Sequence, residues 1–150
     1  MQTITHSHPA NVDAERCIVG ACIESGDILH AVLAEGLAPA DFSVTDHQQI
    51  WEAILQMSDA ALPVTLISLY DYCPAISLPA LIDLTFGVVL FESHVLHYVA
   101  IIKRCAKLRR LLHFGCWLAK EAAAVGADPD GLVIELNQKI SAELRGERHE

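Results

Sequence analysis

Five cysteines and eight histidines are the side chains of this sequence that could bind a metal ion or act as nucleophiles and bases. Cys105 and Cys116 are eleven residues apart, so on a helix they share one face but lie roughly 16 Å apart along the axis. That distance excludes a shared metal ion, because a zinc–sulfur bond is about 2.3 Å long. The cysteines are odd in number and scattered, without a CxxC pair. This pattern predicts small buried residues that stay reduced in a cytoplasmic protein.

The histidines do not predict a catalytic or metal-binding site. His94 and His97 are three residues apart and could reach one ion, but only Glu92 lies near them at helical spacing, so a solvated helix start is the better interpretation. His47 fits a packed, hydrogen-bonded residue at the start of a helix. No serine or cysteine is accompanied by a recognisable base, and no GxxxxGK[ST] loop is present to cradle a nucleotide. We therefore expect these 150 residues to contain no enzyme, metal or cofactor site.

Charge is distributed unevenly along the chain. The formal net charge is −9, and residues 1–92 contain twelve acids and a single base, Arg16, whereas residues 93–150 contain nine bases and seven acids. A chain this acidic is a poor general binder of nucleic acid, since phosphate binding depends on cationic contacts. One dense basic stretch could still be a solvated helix surface, a contact for an acidic partner or a weak contact for DNA. It consists of Lys103, Arg104, Lys107, Arg109 and Arg110.

The composition predicts one globular domain. Apolar residues make up 53% of the chain and charged residues 19%. The apolar stretches without a charged residue, 60–70 and 72–82, are 11 residues long, whereas a membrane-spanning helix needs about 20. The N-terminal residues lack the basic-then-apolar order of a signal peptide.

Helices have to position these side chains, because nearly the whole sequence has helical patterns. The longest predicted helix runs from Ser93 to Val125, since Ser93 is a good N-cap and Gly126 a good stop, and at 1.5 Å per residue it would be roughly 50 Å long. Asp128 and Pro129 then begin a second helix, which runs to Leu144 with apolar residues at spacings of three and four. Together they predict an antiparallel hairpin.

Five short helices are predicted before the hairpin. We place them at 14–24 with Asn11 as N-cap, at 27–35, from Thr45 or Asp46 to 58, from 63–65 to 73, and from 77 to 84. The connector 37–42 is expected to bury its two ends, and the β-branched segment 86–91 is expected to be a buried connector because no partner strand is evident. The predicted fold is all-α, with a flexible N-terminus at 1–8, a helical globular subdomain at 9–92 and the hairpin at 93–150.

The long helix carries more apolar surface than one hairpin partner can cover. Val95, Val99 and Ile102 lie on one stripe, and a second apolar stripe lies beside it. Such a surplus predicts an interface with a second copy of the chain. Ile102→Asp is then expected to make the protein monomeric, because the charge would be buried unpaired. The predicted interface residues are Tyr98, Ile101, Ile102, Cys105, Leu108, Leu112, Leu136 and Ile140.

Four stretches, taken in order, carry a resemblance to a known family. They are Pro9 with Ala14-Glu15 and Val19-Gly20; Asp41-Phe42 with His47 and Ile50-Trp51; Pro63 to Leu66; and Tyr98 with 101–103 and 108–111. Their order and spacing resemble the N-terminal domain of DnaB-type replicative helicases over roughly residues 9–144. The connection between the fourth and fifth helices lacks that family's Gly-Gly, and Phe91-Glu92-Ser93 replaces its usual lead into the long helix.

The resemblance implies a role in replication. In that family this domain pairs through the hairpin and builds a trimer of dimers, a collar that receives the primase and in some systems the loader. The chain would then be a non-catalytic oligomerisation domain of primosome assembly, binding itself, the primase, the helicase or a loader, with weak or no direct DNA contact. A longer parent chain would be an ATP-dependent helicase. The alternative is an unrelated all-α dimeric regulator whose basic stretch binds nucleic acid.

Overall fold

The computed structural model describes residues 8–88 and 90–146, and throughout these ranges the regular structure is helical, without strands. The predicted all-α fold is confirmed. The predicted flexible segment 1–8 lies outside the described residues except for His8. The helices are α1 (Val12–Glu24), α2 (Gly26–Ala34), a 3₁₀ turn (Pro39–Asp41), α3 (Thr45–Asp59), α4 (Leu66–Tyr72), α5 (Leu78–Thr85), α6 (Glu92–Ala122) and α7 (Pro129–Gly146).

Most of the helix starts are set by local capping side chains. The Asn11 side-chain oxygen accepts a hydrogen bond from the Ala14 backbone N–H at 2.9 Å, as predicted. Thr65 and Ser68 cap α4 reciprocally, each side-chain oxygen accepting from the other residue's backbone N–H, at 2.8 and 3.2 Å. These bonds satisfy backbone donors that have no partner inside the helix.

The start of α3 differs from the prediction. Thr45 is the first helical residue, and Val44, which cannot form a side-chain cap, occupies the N-cap position. The expected cap by Thr45 or Asp46 is therefore wrong. Instead, a carboxylate from α1 accepts hydrogen bonds from the two residues just before this start, as described below.

A compact unit that ends at Ala106, here called the first unit, contains the apolar core. Phe42 and Trp51 are among its largest fully buried side chains, and their ring centroids lie 5.5 Å apart. The Trp51 indole N–H donates to the Leu37 carbonyl oxygen at 2.8 Å, which fixes the 37–42 connector against α3. Leu37 and Phe42 are both buried, as predicted.

Helices α1 and α5 approach closely at Gly20. A Cβ atom built on Gly20 would lie 2.1 Å from the Leu84 carbonyl oxygen. Glycine is therefore required here by the contact with α5 rather than by the backbone conformation of α1.

The segment 86–91 is not a buried connector. Phe86 and Phe91 are 77% and 63% exposed, while Val88 and Leu90 are half-buried, and Val89 lies outside the described residues. Apolar composition alone suggested burial, but the core is already filled by α1, α3 and α5. The aromatic side chains at both ends of the segment consequently remain at the surface.

The second unit begins at Lys107, within α6, and contains the hairpin. Gly126 adopts φ +81° between the helices, and the Asp128 carboxylate accepts from the Asp130 N–H at 3.2 Å at the start of α7. Arg110 pairs with Glu143, and the Lys139 ammonium lies 4.9 Å from the Trp117 ring centroid. These pairs show that α7 runs antiparallel to the second half of α6. None of the described helices combines the length and apolarity needed to cross a membrane.

Candidate interaction surfaces and a buried polar cluster

A buried carboxylate in α1 organises the start of α3. Glu15 is 1% exposed. Its Oε1 accepts hydrogen bonds from the Ser43 backbone N–H at 2.8 Å and from the Ser43 hydroxyl at 2.6 Å. Its Oε2 accepts from the Val44 N–H at 3.4 Å and lies 2.9 Å from His47 Nδ1. Glu15 thus binds the backbone N–H groups of the two residues just before α3 and places negative charge near its N-terminus, which the helix dipole favours.

The same bonds decide the ionisation of Glu15. Burial on its own raises the pKa of the carboxyl, but the hydrogen bonds from His47, from the Ser43 hydroxyl and from the two backbone N–H groups outweigh it and hold the pKa of Glu15 below its ordinary value. Because an ionised carboxylate can only accept, His47 Nδ1 must carry the proton and donate it. His47 is 6% exposed and hydrogen-bonded at a helix start.

The residues that carry the family resemblance therefore have structural roles. Asp41 Oδ2 accepts from the Ala38 N–H at 2.9 Å and closes the 3₁₀ turn. Phe42 and Trp51 pack in the core, and Gly20 permits the contact with α5. From the sequence, Glu15 is recognisable as a first-turn acid and as part of the Ala14-Glu15 pair, but not as a partner of α3. Two features could have indicated its contact with the start of α3. Glu15 lies beside the apolar face of α1, and Val44 cannot form a side-chain cap.

Four of the eight predicted interface residues belong to the first unit. Ile102 is 1% exposed and lies in the core of its own chain. It has no surface left for a partner, so it cannot serve as an interface residue. Tyr98 and Ile101 are half-buried and pack against the same core, and Cys105 is half-buried.

The other four belong to the second unit. Leu108 and Ile140 are 42% and 39% exposed, and Leu112 and Leu136 are half-buried. The prediction omitted three residues of the hairpin that are more exposed: Leu111 at 53%, Val133 at 57% and Ile134 at 59%. The apolar doublet at 133 and 134 was the available signal, since two adjacent helical residues cannot both face the same neighbour.

The basic stretch is not a single cationic face. Lys103 donates to the Glu35 carbonyl oxygen at the end of α2, Arg109 is 7% exposed, and Arg110 pairs with Glu143. Only Arg104 and Lys107 of the five are exposed. A surface that reads a phosphate backbone needs several exposed cations side by side, so this arrangement does not favour nucleic-acid binding.

The described residues do not indicate a reactive thiol or a metal site. Within residues 8–88 and 90–146 there is no cluster of three histidine, cysteine or acidic side chains that could hold an ion. The five cysteines are free thiols, and burial raises the pKa of Cys22 to about 12, so this thiol is unreactive at neutral pH.

Comparison with known proteins supports the resemblance. The chain is 25% identical to the replicative DNA helicase DnaC of Bacillus subtilis and 26% identical to the replicative DNA helicase DnaB of Geobacillus stearothermophilus, each over 139 residues. Both alignments cover 88% of this chain, which spans about 30% of the length of these curated relatives. The crystal structure of the N-terminal domain of DnaB helicase from Mycobacterium tuberculosis has the same fold. It superposes with a TM-score of 0.79 at 24% identity, covering 91% of this chain and 99% of that one.

Residues 7–104 match the family model described as the DnaB-like helicase N terminal domain. This range contains the Glu15 cluster, the Phe42–Trp51 contact and the Gly20 contact. The chain belongs to the DnaB-like helicase N-terminal domain family.

Proposed function

We propose that this chain is a non-catalytic assembly domain of DNA replication, which pairs with a second copy of itself through the hairpin. The observation that carries the proposal is the exposure of Leu111, Val133 and Ile134, each more than half exposed on the two helices of the second unit. Large apolar side chains in such positions are stabilised when a second surface covers them.

The second unit has little internal burial to stabilise it. Among its described side chains, those of residues 107–143, none that is apolar is buried. Two isolated helices of this kind are marginally stable, and pairing two hairpins into a four-helix bundle is a common solution. Leu108, Leu112, Leu136 and Ile140 extend the proposed interface, whereas Ile102 does not belong to it.

Partners are proposed from the names of the relatives, which are replicative DNA helicases. A paired hairpin would form part of a collar, a trimer of dimers in the assembled ring, and would receive the primase, the helicase or its loader. The scattered free thiols fit a cytoplasmic site of action.

The test of pairing is the mass in solution of Leu111→Glu and Ile134→Glu variants, measured by light scattering. Each places a charge where the proposed partner surface lies, and both are expected to be monomeric and folded. Ile67→Glu, in α4 and 79% exposed, is the matched control and is expected to keep the mass of the unsubstituted dimer. A monomeric unsubstituted chain, or hairpin variants that stay dimeric, would contradict the pairing.

The role in replication is tested by capture. The tagged chain is mixed with the untagged replicative helicase or primase of its host in moderate salt, with the monomeric Ile134→Glu variant alongside. Capture of either protein by the unsubstituted chain is expected. If a folded, dimeric chain captures neither, the fold is that of the family but the proposed role is wrong.

A further inference from the structure

The first unit also exposes apolar side chains on the outer side of α4 and α5. These helices pack against each other and bury Leu69 and Leu81, each 1% exposed, in the core. On their other side, Ile67 and Phe86 are 79% and 77% exposed, the most exposed of the large apolar side chains described in this unit. Single exposed hydrophobic residues are ordinary, but two neighbouring helices that both expose them form a patch.

Two further residues extend this patch. Tyr70 lies one turn from Ile67 on α4 and is 47% exposed, and Ile82 lies one turn before Phe86 and is 44% exposed. We call the surface formed by Ile67, Tyr70, Ile82 and Phe86 the α4–α5 face. A turn of separation places the two members of each pair on the same side of their helix.

The α4–α5 face carries negative charge along its edges. Asp71 and Asp83 are exposed on the same two helices. At the last residue of α4, the Tyr72 hydroxyl donates to Gln56 Oε1 at 3.2 Å. Gln56 lies between the exposed Glu52 and Asp59 on one stripe of α3. Exposed acids therefore lie on α4 and α5 together with the apolar residues, and also along the stripe of α3 next to Tyr72.

A single positive charge lies near these acids. Arg16 is the single base among residues 1–92, and its guanidinium donates to the Asp83 carbonyl oxygen at 3.0 and 3.2 Å and to the Phe86 carbonyl oxygen at 3.1 Å. It thus caps the C-terminal end of α5.

We propose that the α4–α5 face docks a cationic amphipathic helix of a partner protein. Its apolar side would cover Ile67 and Phe86, and its lysines or arginines would reach Asp71 and Asp83. Nucleic acid, an anionic lipid surface and the same face of a second copy would each bring negative charge against negative charge. Charge complementarity therefore selects a basic protein segment, and the proposal does not depend on pairing through the hairpin.

The probe is a fluorescent amphipathic peptide of leucine and lysine, about 18 residues or five helical turns long. Binding to the full chain is measured by anisotropy at low and moderate salt, and mapped by amide chemical shifts. We expect saturable binding that weakens with salt and shifts the amides of α4 and α5. The Ile67→Ser/Phe86→Ser double variant is expected to bind at least about tenfold more weakly.

The matched control is Leu96→Ser, which removes an apolar residue of α6 that is 58% exposed and lies outside both this face and the proposed hairpin interface; it is expected to bind like the unsubstituted chain. Asp71→Asn/Asp83→Asn is expected to bind more weakly and to lose much of the salt dependence. Equal binding of a leucine–glutamate peptide, equal losses in both serine variants, or no binding at all would overturn the proposal. So would concentration-dependent self-association abolished by Ile67→Ser/Phe86→Ser, which would assign the face to a second copy.

Discussion

In the first unit, helices α1 to α5 and the first turns of α6 bury their apolar faces in one core, and a buried carboxylate with four hydrogen-bonding partners lies beside it. In the second unit, the described side chains of residues 107–143 include no buried apolar residue. The first unit is thus stabilised by its own core, whereas the second unit has little internal apolar burial. This difference is the basis of our proposal that the second unit serves as a surface for assembly.

The largest effect that separates the two units is expected for Ile102→Asp. Because Ile102 is fully buried in the first core, an unpaired charge there should cost roughly 4 kcal/mol or more and unfold the first unit, rather than leave a folded monomer. Unfolding is followed by Trp51 fluorescence in a Trp117→Phe background. A folded Ile102→Asp monomer would show that Ile102 contributes to pairing after all.

A substitution at Glu15 is expected to cost about 3 kcal/mol. Glu15→Gln removes the charge near the N-terminus of α3 and places an amide N–H₂ against donors that now lack an acceptor. Urea denaturation at neutral pH measures the loss. Asp13→Asn, an exposed acid in the same first turn, is the control and should change stability by a few tenths of a kcal/mol.

The pH dependence gives the same prediction an independent check. The pKa of Glu15 is lower in the folded chain than the unfolded value of about 4.3, so the unfolded state binds more protons between the two values and stability rises with pH there. The contribution is complete above about 4.3 and is lost as pH falls through the folded pKa. The difference in stability between the unsubstituted chain and Glu15→Gln should therefore shrink in acid. A difference independent of pH would mean that the charge contributes nothing.

The glycines offer the same substitution with opposite signs in the two units. Gly20→Ala should destabilise the first unit by about 2 kcal/mol, because the added Cβ collides with the Leu84 carbonyl oxygen of α5. In the second unit, a Cβ atom added at Gly115 would have no atom within 4 Å. Gly115→Ala should therefore stabilise α6 by up to about 1 kcal/mol, because alanine favours a helix more than glycine does. Thermal denaturation measures both. Equal effects would remove the contrast in packing between the units.

The smallest effect is expected for the Arg110–Glu143 pair. Both side chains are partly exposed, at 34% and 27%, so solvent screens their attraction. A double-mutant cycle with alanine, followed by Trp117 fluorescence, should give a coupling below about 1 kcal/mol. A coupling of several kcal/mol would indicate that the second unit is held together internally, and would weaken the argument that it needs a partner.

The sequence predicted most helix boundaries well where the signals were local, but α6 runs from Glu92 to Ala122, so the expected N-cap at Ser93 and the expected end at Val125 are wrong. Asn11, Ser77 and the stops at Gly36 and Gly126 act within three or four residues of the backbone groups that they satisfy, so the spacing is visible in the chain. Burial was predicted less well. Phe86 and Phe91 were expected inside and are exposed, because composition does not reveal how much core volume other helices already occupy.

The predicted interface residues stay a proposal, and the structure places them in different surroundings. Leu108 and Ile140 are exposed on the hairpin, whereas Ile102 is buried in the core. Leu111, Val133 and Ile134 are also exposed on the hairpin but were not among the predicted residues. A helix that is apolar on more than one side does not reveal which side meets the core, because that choice depends on helices distant in sequence. The sequence also did not show that Lys103 contacts a backbone carbonyl, that Arg109 is buried, or that Arg110 forms an ion pair.

By itself, then, the sequence determined the all-α class, the hairpin and the family. Capping residues, apolar periodicity and the order of short motifs can each be recognised from a few neighbouring residues. Only the tertiary structure decided that Glu15 binds Ser43, 28 residues away and just before α3, that the α5 backbone packs against Gly20, and that Ile102 lies in the core. These roles arise from contacts between helices that are far apart in sequence, and local propensity carries no information about such contacts.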